Sequence, residues 1–325
     1  MSKVLVVGGA GYIGSHVCKA LVRAGHQVQI LDDLSTGFRV LAKYGEFHEG
    51  SILNKNTVEN ILKNFQPDAV MHFAARAEVG ESVINPALYY EQNVLGSYNL
   101  VEGMREFSPK AKCIFSSTCA VYGEVTTALT ETMPLAPVNP YGRSKRIIEE
   151  IFLDYAYAYD FRFVSLRYFN AAGADSETEL GEMHNPETHL IPRLLEKCKS
   201  PASQEVKIFG NDYPTPDGTC IRDYIHVEDL ASAHLKAMEY LLGGGKSEIY
   251  NLGTTQGSSV LEVIKMVEKV TEKKIDLPVA PRRPGDPARL IASSTKFQKQ
   301  FSWTPKHNLE SIVKTAWNWV KVQGE

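Results

Sequence analysis

A doubly wound α/β fold, with a parallel sheet covered by helices on both faces and a smaller C-terminal α/β region, is predicted by three features of the sequence. Its apolar runs are continuous and rich in β-branched residues, as strands buried on both faces require. They alternate with stretches of helical period, the pattern of right-handed strand–helix–strand crossovers. After Asn170 the texture changes, and Gly, Pro, His and Asp accumulate over long segments. In order, "KVLVV" is a strand, followed by a glycine turn and the helix "YIGSHVCKALVRAG". "QVQILD", a short "EFHEG", the helix "NTVENILKNF" and the strand "DAVMHFAA" come next. A long helix around "YYEQNVLGSYNLVEGMR", the strand "KCIFSST", a helix starting at Tyr141 and the strand "RFVSLRYFN" complete a first domain, residues 1–169. Residues 170–325 form the second, although "RDYIHVEDLASAHLKAMEYL" is compatible with a return to the first. Loops as long as "AAGADSETELGEMHNPETHLIP" and "GNDYPTPDGTC" are usually functional in a compact chain.

Composition narrows the class of partner. A formal net charge of −3 provides no basic surface, which argues against nucleic acid. No run approaches the ~20 apolar residues of a membrane span, and "MSKVLVVGG" has neither the apolar core nor the cleavage site of a secretory signal, so the expected compartment is the cytoplasm. Cys18, Cys113, Cys119, Cys198 and Cys220 are scattered, without the spacing of a zinc site or a disulfide framework. His184 and His189 come closest to a histidine pair, but their offset matches no zinc-binding helix, and they read as ordinary polar residues, so no metal is expected.

"VLVVGGAGYIGSH" sets Gly8, Gly11 and Gly14 directly after a strand and at the start of a helix. Gly8 permits a tight turn, Gly11 lets backbone approach a pyrophosphate, and Gly14 allows close helix–strand packing. Unpaired N–H groups and the helix dipole favour the phosphates. The next strand ends in Asp32, at about the ~20-residue distance at which a carboxylate meets a ribose. The first domain is therefore of the Rossmann type. Asp32 would repel a 2′-phosphate, which favours NAD over NADP, while Arg39 lies near enough in sequence to shelter one.

"NPYGRSK" supplies a second constellation. Asn139 is a good N-cap and Pro140 suits the first helical turn, so Tyr141 and Lys145 fall one turn apart on one face. A tyrosine with pKa ~10 is a weak base near neutrality, and a neighbouring ammonium together with an oxidised nicotinamide would favour the phenolate. "CIFSST" places Ser116, Ser117 and Thr118 at the carboxyl end of a strand, where open α/β sheets bind ligands. Alone, Tyr141 and Lys145 are compatible with a surface pair.

Glycine loop, hydroxyls after a strand and Tyr-x-x-x-Lys together resemble the short-chain dehydrogenase/reductase superfamily, and the length and second domain its extended branch. "GGAGYIGSH", "LDDLSTG", "HFAA", "VGES", "SSTCAVYGE", "NPYGRSK", "LRYFNAAGA", "PETHLIPRLL", "IFGNDYPTPDGTCIRDYIHVEDLA", "YNLGT" and "RRPGDPARLIASS" resemble the UDP-glucose 4-epimerase family along nearly the whole chain. That resemblance implies bound NAD contacted by Gly8, Gly11, Tyr12, Ile13, Gly14, Asp32, Asp33, Ser51, Ile52, Phe73, Ala74, Ala75, Asn93, Ser116, Tyr141, Lys145 and Phe169. It implies Tyr141 as catalytic base and acid, Lys145 as its electrostatic partner and Thr118 as the catalytic hydroxyl. Thr118, Tyr141, Asn170, Leu190, Arg222, Arg283 and Asp286 would contact a UDP-sugar, and the Phe209 ring is placed to pack against it. The planar forks of Arg222 and Arg283 suit a diphosphate, although Arg222 could instead pair with Asp223. A homodimer joined by the helices containing residues 90–104 and 141–157 is also implied.

Three positions depart from the family pattern. Ser51 replaces the aspartate of "GDI", which predicts weaker cofactor retention. Ala77 stands where many members carry lysine, with Arg76 next to it, and Leu290 at the sugar gate leaves the sugar range open. Cys119 and Ala120 occupy the positions of the Asp-Glu pair a 4,6-dehydratase needs, so water elimination is disfavoured. Redox-neutral C4 epimerisation of a UDP-hexose is the expected activity, with another UDP-sugar or a catalytically silent NAD-binding regulator as alternatives.

Overall fold

The structure is a computed structural model and describes residues 1–123, 127–200, 205–283 and 287–323. In chain order the elements are β1 (Lys3–Val7), α1 (Tyr12–Arg23), β2 (Gln27–Asp32), β3 (Glu46–Glu49), α2 (Lys55–Phe65), β4 (Ala69–His72), α3 (Val79–Ile84), α4 (Pro86–Tyr89), α5 (Gly96–Phe107), β5 (Lys112–Thr118), α6 (Pro140–Tyr159) and β6 (Phe163–Tyr168). They continue with β7 (Asn170–Ala172), α7 (Leu190–Lys199), β8 (Ile208–Phe209), β9 (Ile221–His226), α8 (Val227–Leu242), β10 (Glu248–Asn251), β11 (Gly257–Ser259), α9 (Val260–Thr271), β12 (Val279–Ala280), β13 (Arg289–Leu290), α10 (Thr295–Phe301) and α11 (Leu309–Val322). Among the described residues no helix is long and apolar enough to cross a membrane.

The chain divides into two compact units, Met1–Gly123 with Glu131–Arg167 and Ala231–Tyr250, and Glu124–Thr130 with Tyr168–Leu230 and Asn251–Glu325. The return of Ala231–Tyr250 to the first unit overlaps the segment compatible with such a return, whereas the stretch around Leu129 lies with the second unit. β10 joins the edge of the first unit's sheet beside β6. Leu129 bridges Ala292 within the second unit, its carbonyl also accepting from Asn251 Nδ2 at 3.1 Å.

The first unit is built on a seven-stranded sheet of order β3-β2-β1-β4-β5-β6-β10. β1 pairs in parallel with both β2 and β4, so the strand order reverses at β1. Ligands of open α/β sheets bind at such a switch point. Leu5, Val70 and Phe115 of the strands pack with Val58 and Leu62 of α2, Leu100 and Met104 of α5 and Phe152 of α6. The Phe152 ring meets Phe115, Phe161 and Phe163 edge-on at centroid distances of 5.2, 5.4 and 5.5 Å. Burying such a side chain stabilises by about 1.5–3 kcal/mol, and here it fixes α6 against the sheet. The expected continuous helix around residues 90–104 is interrupted, because Tyr90–Leu95 is wound as a π-helix ahead of α5. Such segments concentrate at functional sites.

In the second unit β9 pairs antiparallel with β11 and parallel with β7 and β13, while β8 pairs with β12. Its core joins Leu194 and Leu195 of α7, Val263 and Val267 of α9, and Ile312 and Val313 of α11.

Candidate active site

The β1–α1 turn meets the requirements read from its glycines, to different degrees. A Cβ on Gly8 (φ +84°) would lie 2.4 Å from the Ala74 amide nitrogen, and one on Gly14 would lie 2.2 Å from the Gly8 carbonyl. Both are demanded by the protein's own packing. A Cβ on Gly11 would meet the Gly8 carbonyl at 3.3 Å, a tight contact but a milder one, so the protein's own packing demands glycine less strongly there. Tyr12 is buried and Ile13 partly exposed on the first turn of α1. At the end of β2, Asp32 is 8 % exposed and accepts hydrogen bonds from the Ala10 and Leu34 amides, each at 2.9 Å. Burial raises its pKa, and those two amides and the Asp33 charge modify it in opposite senses. Two accepted bonds leave capacity on the carboxylate for ribose hydroxyls. The Arg39 guanidinium lies 4.4 Å from the Phe47 ring centroid and donates to the Ala42 carbonyl at 3.3 Å, which engages it within the loop.

The other expected dinucleotide contacts lie on further loops and strand ends. Asp33 is exposed and accepts from the Ser35 amide at 3.0 Å. Ser51 accepts from the Leu53 amide at 3.4 Å, and Ile52 is buried. The Phe73 and Ala74 amides donate to the Val7 carbonyl at 2.7 and 3.0 Å; Phe73, Ala74 and Ala75 remain partly exposed beyond β4. Phe169, partly exposed, directly follows β6. Asn93 differs from expectation. Its side chain is fully buried, accepting from the Arg76 amide at 2.8 Å and donating to the Arg76 carbonyl at 3.0 Å and to Ser144 Oγ at 2.9 Å. Ser144 Oγ donates in turn to the Tyr141 carbonyl at 2.7 Å, so Asn93 fixes the first turn of α6.

That turn forms as its sequence dictates, with Asn139 Oδ1 accepting from the Gly142 amide at 2.8 Å and Pro140 at the first helical position. Tyr141 is partly exposed and its hydroxyl is hydrogen-bonded to the Thr118 side chain. Thr118 Oγ1 also accepts from the Ala120 amide at 3.1 Å. Lys145 is 3 % exposed, with Nζ donating to the Ser116 carbonyl at 2.9 Å and lying 4.8 Å from the Phe115 ring centroid. One turn further on, buried Glu149 accepts from Ser117 Oγ at 2.7 Å, Ser165 Oγ at 2.8 Å and Arg167 Nε at 2.9 Å.

Burial dominates the electrostatics of the pair. Burial raises the Tyr141 phenol to about 12; the Thr118 hydrogen bond opposes this rise, and Cys119 and Glu78 add to it. Burial lowers Lys145 to about 7 against the opposing charge of Glu149. Lys145 is directed at Ser116 and does not hold the phenol down in this arrangement. Desolvation, which no residue pattern displays, is the dominant effect.

In the second unit, strand pairing gathers residues far apart in sequence. Arg222 and Tyr224 alternate with buried Asp223 along β9, Arg222 stands across from Leu290, and Asn170 pairs with Tyr224. Asp223 accepts from Thr254 Oγ1 at 2.7 Å and from the Ala292 amide at 3.2 Å, and strand alternation points it to the face opposite Arg222. Asn170 Nδ2 donates to the Asp223 carbonyl at 3.2 Å. Arg283 is exposed, with its guanidinium 4.1 Å from the Phe209 ring centroid. Leu190 opens α7, partly exposed, and Asp286 lies outside the described residues. Sequence reading set His184 and His189 aside as ordinary polar residues, yet ligand atoms of Glu182, His184, Glu187 and His189 all lie within 4.8 Å of one another. Their spacing follows no helical or strand period, and only the mixed Glu-x-His-x-x-Glu-x-His order signals it.

A family model described as NAD dependent epimerase/dehydratase family matches residues 4–253. A UDP-glucose 4-epimerase of Halalkalibacterium halodurans is 48 % identical over 320 residues, 98 % of this chain and 95 % of that one. The crystal structure of UDP-glucose 4-epimerase from Brucella ovis in complex with NAD superposes with a TM-score of 0.94 at 44 % identity, covering 98 % of each chain. That of UDP-glucose 4-epimerase from Bifidobacterium longum in complex with NAD+ and UDP gives 0.92 at 34 % identity, covering 99 % of each.

Proposed function

The chain belongs to the NAD-dependent epimerase/dehydratase family, and on that premise we propose that it inverts C4 of a UDP-hexose, interconverting UDP-glucose and UDP-galactose through a 4-keto sugar. The observation that carries this reading is the hydrogen-bonded Thr118–Tyr141 pair at the carboxyl end of β5, in the same unit as the glycine turn and Asp32. Bound NAD supplies the hydride acceptor that is also the donor of the return step, so no net redox change results. Gly8, Gly11, Gly14 and Asp32 would hold it, its diphosphate over the glycine turn and its ribose at the Asp32 carboxylate.

Tyr141 takes the proton of the sugar 4-hydroxyl and later returns it. Thr118 orients the reacting oxygen through the hydroxyl it shares with Tyr141. A phenol raised to about 12 by burial holds its proton tightly at neutral pH, so positive charge beside it is needed for turnover. Lys145, one helical turn from Tyr141, is tied to the Ser116 carbonyl; burial lowers it to about 7 and Glu149 opposes that fall. Asn93 and Ser144 keep Tyr141 on its turn as positioning residues. In the second unit Arg222 and Arg283 grip the diphosphate, Phe209 packs on the uridine side, and Asn170 and Leu190 complete the contacts. Diphosphate anchoring lets the keto sugar turn over without escaping.

Two further readings accompany the activity. A homodimer would cover Leu95 and Tyr98 beside Leu153 and Tyr157, which are 47, 40, 50 and 96 % exposed on the helices expected to pair. Light scattering that returned a monomer mass would remove it. A cytoplasmic location accords with five buried cysteine side chains, which suit a reducing compartment. The activity itself is tested by incubating purified protein with UDP-galactose, first without added cofactor and then with NAD. UDP-glucose should form, and its absence in both arms would leave a silent NAD-binding protein. A panel of UDP-sugars would define the range left open by Leu290.

A further inference from the structure

Three clusters of metal-ligating side chains occur among the described residues outside the site above. Asp175, Glu177 and Glu179 are acids alone. In the second, both nitrogens of His226 are committed, Nε2 to Thr315 Oγ1 at 3.0 Å and Nδ1 to the Glu228 amide at 3.1 Å. The His226 and His307 rings stack face to face at 4.0 Å, so they do not aim nitrogens at a shared point. The third cluster is different.

We propose that Glu182, His184, Glu187 and His189 bind one divalent transition-metal ion of the zinc type, in tetrahedral coordination, fastening the 182–189 loop to the start of α7. His184 Nδ1 lies 3.3 Å from Glu182 Oε1 and 3.3 Å from Glu187 Oε2. His189 Nδ1 lies 3.0 Å from that same Glu182 oxygen and 2.9 Å from Glu187 Oε1. A single ring nitrogen carries one proton or one lone pair, so it cannot serve two carboxylates equally. One cation can take a single ligand atom from each of the four side chains, atoms that all lie within 4.8 Å of one another. With metal–ligand bonds of about 2.0–2.1 Å, the edges of a tetrahedron are about 3.3 Å, which the 3.3 and 3.0 Å from Glu182 Oε1 to the two ring nitrogens approach.

Charge leads to the same ion. Two carboxylates and two neutral imidazoles carry −2, which a dication neutralises. The two imidazole rings lie side by side, with centroids 4.9 Å apart. The surroundings hold the ligands in place. His189 donates its amide hydrogen to Glu187 Oε1 at 2.8 Å. Trp319 Nε1 donates to the Glu182 carbonyl at 3.1 Å, and its ring fills the space a Cβ on Gly181 would need. The carboxylate side chains are 7 and 9 % exposed, against 28 and 41 % for His184 and His189, so the acids line the base of a site that opens through the imidazoles. None of this depends on the proposed epimerisation.

Zinc chloride titrated calorimetrically into chelator-treated full-length protein tests the proposal. One saturable site should appear, with proton release, and His189→Ala and Glu187→Gln should each weaken it at least about tenfold. His307→Ala should leave it intact. Cobalt(II) in the same site should give the intense visible absorption of tetrahedral geometry. Circular dichroism confirms the fold of each variant, and His184→Ala replaces any that fails. Absence of saturable binding, unchanged affinity in the folded ligand variants, loss of the site in His307→Ala or a weak octahedral cobalt spectrum would each overturn the assignment.

Discussion

The two units assemble chemistry in opposite ways. In the first, each key group stands at the end of a strand or on the first turn of a helix, within a few residues of the motif that fixes it. Asp32 ends β2, Thr118 ends β5, and Tyr141 follows its own cap Asn139 by two residues. In the second unit Asn170, Arg222 and Leu290 become neighbours only through strand pairing across 120 residues of chain. Short-range devices thus carry the proton chemistry, and long-range pairing carries the grip on the ligand. Changes in the first unit should therefore act on turnover or cofactor, and changes in the second on affinity.

The largest expected effect is on turnover alone. Tyr141→Phe should lower kcat by about 10²–10⁴-fold while NAD and UDP still bind, as measured by initial rates and calorimetry. A substantial loss of UDP affinity in this variant would erase the contrast between the units. Next comes a paired test inside the glycine turn. Gly8→Ala, at φ +84° and 2.4 Å from the Ala74 nitrogen, should destabilise the fold by at least about 2 kcal/mol. Gly11→Ala should change stability by no more than about 1 kcal/mol yet weaken NAD by about tenfold or more, separating a packing glycine from a ligand glycine. In the second unit, Arg222→Ala should raise the Kd of UDP by about 10–100-fold with little change in the melting temperature. An unchanged constant would make Arg222 structural.

The smallest effect concerns Lys145. Its folded pKa, near 7, lies below the unfolded value of 10.5, so between these values the unfolded chain binds more protons and stability rises with pH. From about pH 7 to pH 8 the gain should be about 1 kcal/mol in urea titrations, and Lys145→Met should abolish it. A slope of opposite sign would show the ammonium to be stabilised in the native state.

What could be read from sequence follows the same division. The glycine turn, the Asn139 cap and the Tyr141–Lys145 spacing are local, so residue pattern specified their structure. Three features depended on distant partners. Chain exchange between units arises because β10 pairs beside β6 and Leu129 beside Ala292. The direction of the Tyr141 shift depends on burial by the rest of the fold. Asn93 reads as a ligand contact from its motif, whereas the π-helical turn beneath it directs its amide to Arg76 and Ser144. The His184 and His189 offset looked incidental because the two glutamates that complete the cluster are brought in by a loop with no period.

The central claim is that Tyr141 handles only the hydroxyl proton while the hydrogen on C4 leaves and returns without meeting solvent. UDP-galactose deuterated at C4, converted by the protein in ordinary water and analysed by NMR, tests it most directly. UDP-glucose that keeps its C4 deuterium is the predicted result; a product carrying solvent hydrogen at C4 would contradict the account.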